Sequence, residues 1–534
     1  MRIHRIEIHN FRAFRDFVVE LHGESMFVIG ENAGGKTSLL IAVARGLGGD
    51  LNFRIEDFSD PLQAIDIILT LTDLSREQAA IFGNYADFAT APPSLRIATR
   101  AVWDASAEQA DIEHFYPRVG GSRSKRDERD ALAWLWLPAA RDPQRMLQFG
   151  VPRNLAGKLV EGLPIGQSLD EAIDTVRLAS DTLGQDPALL AFLGGARNDL
   201  AALLPAVAPE AFRMGISATT RRDLLRNFEL VVEHLGEPVP VGTQSSGVAQ
   251  LAIFVFAMKL ASAEPGTILL VDEPEISLHP QAQRALMRSL RQLRVQMLVA
   301  THSANLLDRA DPRRVMRLMH SDHGVELARP STLSDSDARK LARFTGPQTA
   351  EAFFARSVIL VEGISDHIAL EALAERLQRN LDAEGVSIVP IGGITAVRSF
   401  VQLYGPTGFK LRLAGLCDEN EERNVLDALE LVGLGAGLTR QTAEELGFFV
   451  CVRDLEEELI RALGVQQVEQ IIAQNGDLAA FRTFQRQPDQ RELPIEDQIH
   501  RFISRRKVEF APLLVDALPL PNVPPPLAAV LRHV

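Results

Sequence analysis

The sequence contains little cysteine, no excess of positive charge and no long hydrophobic run. Cys417 and Cys451 are the only cysteines among 534 residues, which excludes a disulfide framework and a four-thiolate zinc site and indicates a reducing compartment. The 56 basic residues are outnumbered by 70 acidic ones, for a formal net charge of −14. That charge excludes a protein that coats nucleic acid through bulk electrostatics, but it is compatible with a local basic groove.

Signals for export or membrane insertion are also scarce. Residues 1–14 alternate charged and hydrophobic side chains and lack the apolar core of a secretory signal. The longest strongly apolar run, residues 251–258, ends at Lys259 and is well short of the roughly 18 to 20 residues that span a bilayer. We therefore expect a soluble, cytoplasmic protein with no membrane partner.

What is present indicates a large globular protein. The chain of 534 residues is about three to four times as long as a typical domain, so several hydrophobic cores are expected. Apolar residues at 46%, charged residues at 24%, 37 glycines and 29 prolines are ordinary globular values. They exclude collagen-like and mostly disordered chains.

Hydrophobic periodicity predicts an α/β fold class with a helical interruption. Strand-like runs and one helical run up to about residue 103 are followed by helical patterns from about 165 to 235, such as LDEAIDTVRLASDTL and DLLRNFELVVEHL. Alternating helices and strands return between 245 and about 330, and a second α/β segment begins near 351, a rhythm typical of parallel sheets. Clustered prolines in the tail LPLPNVPPPLAAVL preclude a regular helix through them.

A phosphate-binding loop is predicted at residues 30–37. Their sequence, GENAGGKT, fits the pattern GxxxxGK followed by Ser or Thr and lies between a predicted strand and a predicted helix. The glycines let backbone N–H groups turn toward phosphates, the helix N-terminus adds positive potential, and the hydroxyl can bind Mg²⁺. The candidate ATP-binding residues are Asn32, Gly34, Gly35, Lys36, Thr37 and Ser38, with Thr37 as a ligand of Mg²⁺.

Two later strand ends carry residues suited to the same reaction. The strand TILLVDE delivers Asp272 to a metal ion and places Glu273 to polarise a water for attack on the γ-phosphate. The strand LVATHS ends beside His302, whose position argues for a sensor of the γ-phosphate. Glu273 and His302 are therefore predicted catalytic residues of an ATPase.

The order of these motifs resembles that of the ABC-type ATPases of the SMC and recombination-repair class. Arg12, in the segment NFR, is similar to a residue of the class's adenine-side strand, and residues 244–250 resemble its signature loop. The resemblance implies that Ser246 and Gly247 reach the γ-phosphate of a partner across an ATP-sandwiched homodimer. The loop departs from the usual Leu-Ser-Gly-Gly, but Ser and Gly before a helix still present a hydroxyl and backbone amides to phosphate.

Three further strand ends carry acidic residues. Glu362 and Asp366 follow the strand SVILV, Asp418 follows LAGLC, and the acids of residues 454–458 follow FFVCV. One such cluster alone is usually a solvated cap or turn. Three together favour a metal site, because carboxylates at neighbouring strand ends can converge on hard divalent cations, which prefer oxygen ligands.

The segment VEGISD, followed further along by an acidic cluster after a strand, resembles a Toprim domain, the metal-dependent fold of topoisomerases, primases and some nucleases. An SMC-like ATPase with a helical insertion, followed by Toprim, is the layout of the OLD (overcoming lysogenization defect) family of nucleases. The resemblance covers nearly the whole chain. It implies an ATP-regulated DNA endonuclease that uses two Mg²⁺ or Mn²⁺ ions, acts in defence against phage and has an accessory defence protein as a further partner.

The same resemblance implies roles for individual residues. The second acid of the family's usual Asp-x-Asp is Asn420 in this chain, and its amide oxygen can bind Mg²⁺ without contributing charge. Glu419 and Glu421 are alternatives to it. The implied metal ligands are Glu362, Asp366, Asp418, Asn420 and Glu456, and the implied catalytic residues are Glu362, Asp418 and Lys507.

These observations predict three structural parts. Residues 1–164 and 236–345 form the two halves of an ABC-type ATPase, residues 165–235 form a helical insertion, and residues 351–534 form a Toprim nuclease domain with a C-terminal extension. The insertion is a candidate dimerisation element, because long amphipathic helices often bury their apolar stripe on a partner. Packing against the ATPase itself is the alternative.

Two other functions stay open. The protein could be an ATP-driven DNA-binding clamp or sensor with a degenerate, non-cleaving Toprim domain, a hypothesis motivated by Asn420. An SMC-like DNA-repair ATPase without nuclease function would explain residues 1–330 but leaves the acidic strand ends after residue 351 unexplained. Plasmid cleavage by the purified protein distinguishes these hypotheses.

Overall fold

The structure is a computed structural model, and its described residues form two compact units. One unit comprises Met1–Arg2 and Leu132–Gln296, and the other comprises Ile3–Ala131 and Met297–Val534. The structure describes the chain except residues 32, 50, 51, 119, 150, 152, 153, 162, 192, 195–215, 217–219, 235, 236, 265, 309, 331, 345, 346, 394 and 395.

The segment before residue 132 contains an antiparallel sheet and one separate buried strand. The strands are β1 (Arg2–Phe11), β2 (Phe14–Glu20), β3 (Ser25–Gly30), β4 (Ile65–Thr72), β5 (Leu95–Asp104), β6 (Gln109–Tyr116) and β7 (Ser122–Arg123). The sheet has the order β2-β1-β4-β5-β6-β7. Its strands alternate buried and partly exposed residues, as β4 shows, because one face packs on the core. The helices are Lys36–Gly46, Arg76–Phe82 and Arg126–Asp130, with a 3-10 turn at Ile55–Asp57.

The segment Leu132–Gln296 combines a parallel strand pair, a hairpin and several helices. Its strands are β8 (Trp134–Leu137), β9 (Val231–His234), β10 (Glu237–Pro240) and β11 (Ile268–Asp272). Strands β8 and β11 pair in parallel, whereas β9 and β10 form an antiparallel hairpin. The helices are Pro143–Leu147, Leu155–Glu161, Gly166–Gly184, Arg221–Arg226, Ser246–Ala263 and Pro280–Arg291, with a 3-10 turn at Val241–Thr243.

The helical pattern predicted for residues 165–235 is confirmed only in part. Helices Gly166–Gly184 and Arg221–Arg226 are present, and much of the sequence between them lies outside the described residues. The predicted helix over DLLRNFELVVEHL is wrong at its end, where Val231–His234 is a strand. The adjacent β-branched valines favour extended backbone, and the prolines of β10 cannot continue a helix, so a hairpin forms instead.

Helix Ser246–Ala263 is apolar on nearly all sides. By length and composition alone it could cross a membrane, with 39% of that stretch buried inside the protein. The core helix of a soluble protein passes the same test. Ile253, Phe254 and Ala257 are fully buried, so one face of this helix packs into the core of its own unit.

A second parallel arrangement surrounds β3. It contains β12 (Gln296–Ala300), β13 (Val315–Ser321) and β14 (Gly324–Ala328). Strands β12 and β13 both pair with β3 in parallel, and β14 pairs with β13 in antiparallel orientation. The carboxyl ends of β3 and β12 therefore lie at one edge. The helices that follow are Asp335–Phe344 and Pro347–Glu351, with 3-10 turns at Pro312–Arg314 and Ala352–Phe354.

The predicted second α/β segment is confirmed. Its strands are β15 (Ser357–Val361), β16 (Val386–Pro390), β17 (Arg412–Asp418) and β18 (Phe448–Cys451). They form one parallel sheet in the order β16-β15-β17-β18. The continuous hydrophobic runs read from the sequence correspond to these strands, because helices cover both faces of parallel sheets. The helices are Ile364–Arg376, Leu381–Glu384, Val397–Tyr404, Glu422–Leu431 and Arg440–Glu445, with a 3-10 turn at Glu419–Glu421.

Helices complete the chain and share a hydrophobic core with that sheet. Leu370 and Leu373 of helix Ile364–Arg376 are fully buried together with Phe510 and Leu514. Arg376 fastens the contact by donating to the carbonyl oxygens of Val515 and Leu518. The helices are Leu455–Leu463, Val465–Gln474, Leu478–Gln485, Ile495–Ser504, Lys507–Ala517 and Pro525–His533, with a 3-10 turn at Leu520–Asn522.

The proline-rich tail behaves as predicted. Helix Pro525–His533 begins only after Pro524, and prolines occupy its first positions. Proline is tolerated there because the N–H groups of the first turn have no partner within the helix.

Candidate active sites

The predicted phosphate loop has the backbone that its glycines allow. Gly30 has φ 149°, and a Cβ atom there would lie 2.5 Å from the carbonyl oxygen of Leu318, so only glycine fits beside β13. Lys36 opens the following helix, and its Nζ donates to the carbonyl oxygens of Gly30 at 3.1 Å and Glu31 at 2.8 Å. Asn32 lies outside the described residues.

Arg12 contacts the helix that follows this loop. Its Nη1 donates to Oγ of Ser38 at 3.1 Å, and its Nε donates to Oδ1 of Asp57 at 2.8 Å. Asp57 also accepts from Arg45 at 2.9 Å. Burial acts to raise the pKa of Asp57, but the hydrogen bonds from Arg54 N–H and from the two arginines hold the pKa below its usual value. Asp57 was not predicted, because no spacing in the sequence links it to Arg12.

His302 follows β12 at the same edge as the phosphate loop. Strand β12 pairs with β3 in parallel, and the Thr301 N–H donates to the Val28 carbonyl oxygen at 3.1 Å. Thr37 lies in the first turn of the helix that follows β3, with an exposed side chain. The predicted residues of this compact unit therefore gather at one strand edge.

The remaining predicted nucleotide residues lie in the other compact unit. Asp272 ends strand β11 and is 1% exposed, and Glu273 follows with φ 43°. Ser246 and Gly247 open helix Ser246–Ala263. Within this unit a Cβ atom at Gly247 would lie 3.0 Å from the carbonyl oxygen of Ser277, so the start of that helix packs closely on the chain after β11.

A second group of predicted residues meets at the carboxyl edge of the β16-β15-β17-β18 sheet. Glu362 directly follows β15, Asp418 is the last residue of β17, and Asp454 follows β18 by three residues. Strands β15 and β17 are neighbours, as are β17 and β18. Carboxylates from three adjacent strands are thereby brought to one edge, as the sequence predicted.

The pKa values of two of these carboxylates are raised. Burial is the main cause that raises the pKa of Asp418 to about 7, and the charges of Glu362, Asp366 and Asp454 add to it. Burial likewise raises the pKa of Asp366 to about 6, although the Gly363 N–H, which donates to Asp366 at 2.8 Å, opposes the rise. Like charges held close together disfavour ionisation in this way.

Lys507 reaches the same group from the C-terminal helices. Its Nζ donates to Oε2 of Glu456 at 3.0 Å. Glu456 is fully buried, and its Oε1 has no hydrogen-bond partner among the described residues. Burial acts to lower the pKa of Lys507, but the charge and hydrogen bond of Glu456 and the charge of Asp454 raise it above its usual value. Lys507 therefore stays a cation beside the carboxylates.

Asp454 and His500 form a buried pair that the sequence did not predict. His500 Nε2 lies 2.7 Å from Oδ2 of Asp454, and Oδ1 of Asp454 accepts from the Glu457 N–H at 2.9 Å. Burial acts to raise the pKa of Asp454, but these hydrogen bonds hold it below its usual value. Asp454 stood in a noted acidic cluster, whereas nothing in the sequence pattern singled out His500.

The position of Asn420 differs from that of the other predicted ligands. It lies in the 3-10 turn Glu419–Glu421 with an exposed side chain. Both alternatives to it are engaged elsewhere: Glu419 lies 3.5 Å from Arg440, and Glu421 accepts from Asn424 at 2.8 Å. Asn420 is thus more exposed than the other predicted ligands.

Family models identify the parts of the chain. A model described as an AAA ATPase domain matches residues 1–72, and one described as an AAA domain, putative AbiEii toxin, Type IV TA system, matches residues 106–308. A model described as the TOPRIM domain of overcoming lysogenization defect protein-like sequences matches residues 353–419. The predicted fold, an ATPase followed by Toprim, is confirmed.

Curated relatives match most of the chain. It is 22% identical to the Old nuclease of Escherichia phage P2, over 78% of this chain and 77% of that protein. It is 25% identical to the OLD nuclease of Thermus scotoductus, over 74% of this chain and 78% of that protein. It is 22% identical to Endonuclease GajA of Bacillus cereus, over 84% of this chain and 80% of that protein. Over these lengths the chain is similar to OLD nucleases.

Among solved structures, this chain is similar to the C-terminal region of the OLD protein of Xanthomonas campestris pv. campestris. The sequence identity is 28%, the match covers 34% of this chain and 95% of that structure, and the TM-score is 0.29.

The carboxylates at the edge of the β16-β15-β17-β18 sheet fit divalent ions by their chemistry. The fully buried Glu456 has an oxygen without a hydrogen-bond partner among the described residues, and the raised pKa values of Asp366 and Asp418 mark uncompensated negative charge. Within the described part of the chain, no three His, Cys, Asp or Glu side chains are placed to hold one ion by themselves. These carboxylates therefore suit ions such as Mg²⁺, which keep several water ligands and are bound by one or two carboxylates.

We expect Asp418→Asn to stabilise the metal-free protein at pH 8. Because the pKa of Asp418 is raised from 3.8 to about 7, its contribution to stability is present below 3.8 and lost as the pH rises through about 7. The substitution removes that loss, so the thermal midpoint in EDTA should rise at pH 8, with the difference vanishing toward pH 4. Added Mg²⁺ or Mn²⁺ should raise the midpoint of wild type more than that of the variant.

The matched control for this substitution is Asp427→Asn. Asp427 is exposed on helix Glu422–Leu431 and pairs with Arg423 at 3.0 Å, so its effect should be small and independent of metal. Equal metal-dependent stabilisation of wild type and Asp418→Asn would contradict the assignment of Asp418 as a ligand.

Proposed function

We propose that this chain is an ATP-binding and ATP-hydrolysing, divalent-metal-dependent DNA endonuclease. The observation that carries the proposal is the group of buried and half-buried carboxylates at one sheet edge, with Lys507 against Glu456. Two aspartates with raised pKa values, beside a buried carboxylate oxygen without a hydrogen-bond partner among the described residues, are the features expected of a site for cations.

In the nuclease reaction, Glu362, Asp366, Asp418 and Glu456 hold the metal ions, with Asn420 as a neutral further ligand. Two Mg²⁺ or Mn²⁺ ions supply the chemistry of phosphodiester hydrolysis, since they lower the pKa of a water and stabilise an in-line displacement at phosphorus. Lys507 supplies a fixed cation, and at about 3 Å from a phosphate oxygen it would stabilise the charge that develops there. Glu456 and Asp454 keep Lys507 protonated for this role.

In the ATPase reaction, the phosphate loop and Arg12 bind ATP, and Thr37 and Asp272 hold its Mg²⁺. Glu273 polarises the attacking water, and His302 senses the γ-phosphate. Ser246 and Gly247 act across a homodimer on the nucleotide of the partner, in which the helix N-terminus favours negative charge.

We also propose a cytoplasmic defence role against phage, with DNA as the substrate and an accessory defence protein as a further partner. The names of the relatives, which are nucleases, and the ATPase and Toprim models support the DNA-cleaving part of this role.

A specific observation favours a second candidate function, an ATP-driven clamp or sensor that binds DNA without cutting it. The exposed Asn420 lies where the family has an acid, and Arg440 lies 3.5 Å from the adjacent Glu419. In that case ATP hydrolysis would persist while every metal fails to support cleavage.

Plasmid cleavage tests the nuclease. Purified wild-type protein should nick or cut supercoiled plasmid with Mg²⁺ or Mn²⁺, and Glu362→Ala and Asp418→Ala should each lower the rate by about 10² or more because charge stabilisation is lost. The measurement is the initial rate of loss of supercoiled DNA on gels. Lys36→Ala in the same assay reports whether ATP binding regulates cutting.

Asp427→Ala is the matched control for that assay, since it removes an exposed carboxylate from the same domain. Cleavage by Glu362→Ala and Asp418→Ala at the wild-type rate, or an absence of cleavage with any metal, would refute the nuclease assignment.

ATP turnover tests the role of Glu273. Glu273→Gln should bind ATP as wild type does and lose hydrolysis by roughly 10² to 10⁴, because a carboxamide cannot act as a general base. Steady-state phosphate release and binding of a fluorescent ATP analogue measure the two quantities. Unchanged hydrolysis by the variant would show that another group polarises the water.

The described part of the insertion supports the proposed homodimer. Leu178 and Leu183 of helix Gly166–Gly184 are 69% and 53% exposed, so they offer apolar surface on which a second copy of the chain could pack. The double variant Leu178→Glu/Leu183→Glu should therefore halve the mass found by light scattering with ATP. Gln185→Glu, which adds charge at a polar exposed position of the same helix end, should leave the mass unchanged. A dimeric mass for the double variant would place the interface elsewhere.

A further inference from the structure

A buried arginine, Arg141, connects two parts of the predicted nucleotide machinery within the unit that contains Leu132–Gln296. It follows strand β8 and is 8% exposed. Its Nε donates to Oε1 of Gln250 at 2.6 Å, its Nη1 donates to the carbonyl oxygen of Asp272 at 3.0 Å, and its Nη2 donates to that of Glu273 at 2.8 Å. Each nitrogen of the guanidinium is thus engaged, and the acceptors lie on two different elements.

Two of these acceptors belong to a strained turn. Glu273 has φ 43°, in the left-handed region that residues other than glycine rarely adopt. Its carbonyl oxygen also accepts from the Ile276 N–H at 3.3 Å. Because the backbone sets the direction in which a side chain leaves the chain, the bonds from Arg141 to both carbonyls help to fix where the Glu273 carboxylate points.

The third acceptor belongs to the helix that the signature-like loop opens. Gln250 lies one turn after Ser246 and Gly247 on helix Ser246–Ala263. The guanidinium carbon of Arg141 also lies 5.1 Å from the ring centroid of Phe254, on the same helix. A shift of this helix would therefore displace the guanidinium, since the contact is buried and closely packed.

We propose that Arg141 is a positioning residue for ATP hydrolysis, which couples the position of helix Ser246–Ala263 to the orientation of Glu273. The inference rests on the proposed ATPase function and deepens it. When the N-terminus of the helix engages a γ-phosphate, Gln250 holds the guanidinium in place, and the guanidinium holds the turn that carries the general base. Arg141 acts through Glu273 and takes no proton itself.

The chemistry of the side chain explains why an arginine occupies this position. A guanidinium presents its donors in a rigid planar fork, so it can serve three acceptors in fixed directions, whereas an ammonium is a single point on a flexible stem. Burial lowers the pKa of Arg141, and the charges of Asp272, Glu275 and Glu273 oppose that effect. A neutral or shorter side chain would lose the fork and leave buried carbonyl groups without this donor.

Steady-state ATP hydrolysis by Arg141→Lys tests the proposal. The expected result is a kcat lowered by roughly 10- to 100-fold, the effect of a small misplacement of a reacting group, with the affinity for a fluorescent ATP analogue changed by less than about threefold. A merely structural role would instead lower the thermal midpoint and the amount of folded enzyme, without separating kcat from nucleotide affinity. A wild-type kcat for Arg141→Lys would overturn the proposal.

Arg317→Lys is the matched control. Arg317 is 6% exposed and donates to the carbonyl oxygens of Phe409 at 3.2 Å and Ala355 at 3.1 Å, so it is an equally buried, carbonyl-bound arginine outside the predicted ATPase residues. Its substitution should leave kcat within about threefold of wild type. A loss of kcat as large as that of Arg141→Lys would mean that any buried arginine has this effect, and would overturn the proposal.

Gln250→Met supplies a second variant, which keeps the helix and side-chain length but removes the acceptor for Nε. It should lower kcat in the same direction, and its effect should not add to that of Arg141→Lys in the double variant, because both act through one contact. If Arg141→Lys does not fold, a wild-type kcat for Gln250→Met still overturns the proposal. Absence of ATP hydrolysis by the wild-type protein would instead overturn the proposed ATPase function, and with it this role.

Discussion

Carboxylates crowded at the carboxyl edge of a parallel sheet are the constraint on which the second α/β segment depends. Strand β17 ends in an acid, and β15 and β18 are each closely followed by one. Burial and mutual repulsion raise the pKa values of Asp366 and Asp418 to about 6 and 7. Lys507 donates to Glu456, and His500 lies 2.7 Å from Asp454. Both residues lie on helices after the sheet. The C-terminal helices are therefore part of the site and not only a cover for the core.

Arginines organise the predicted nucleotide residues in a comparable manner. Arg12 joins Ser38, in the helix after the phosphate loop, to Asp57, and Arg141 joins Gln250 to the turn of Glu273. A guanidinium suits this task because its planar group donates hydrogen bonds only in defined directions. Loops that carry functional groups are thereby held in conformations that their own backbone would not favour alone.

Asn420 stands where the resemblance to OLD nucleases implies an acid. It lies in an exposed turn, with Arg440 beside Glu419. The remaining carboxylates still concentrate negative charge at the sheet edge, and Glu456 keeps an oxygen without a hydrogen-bond partner among the described residues. We therefore favour DNA cleavage over a purely DNA-binding role.

Much of the fold and part of each site followed from local patterns. Buried parallel strands appear as continuous apolar runs, so β3, β11, β15 and β17 were predicted close to their observed bounds. The phosphate loop could also be predicted from the sequence, because its glycines and lysine are adjacent in the chain. The predicted helix over residues 231–234 was wrong, since a short apolar run does not distinguish helix from strand without knowledge of its partner.

The sequence by itself determined the order of strands and helices, the phosphate loop and the acidic strand ends, because these depend on spacing along the chain. Only the tertiary structure decided the partners: Asp57 for Arg12, His500 for Asp454, and Gln250 and the carbonyl groups after β11 for Arg141. It also decided that Glu456 is fully buried against Lys507. Such contacts join residues that are distant in sequence, and packing of whole elements, which no local pattern encodes, brings them together.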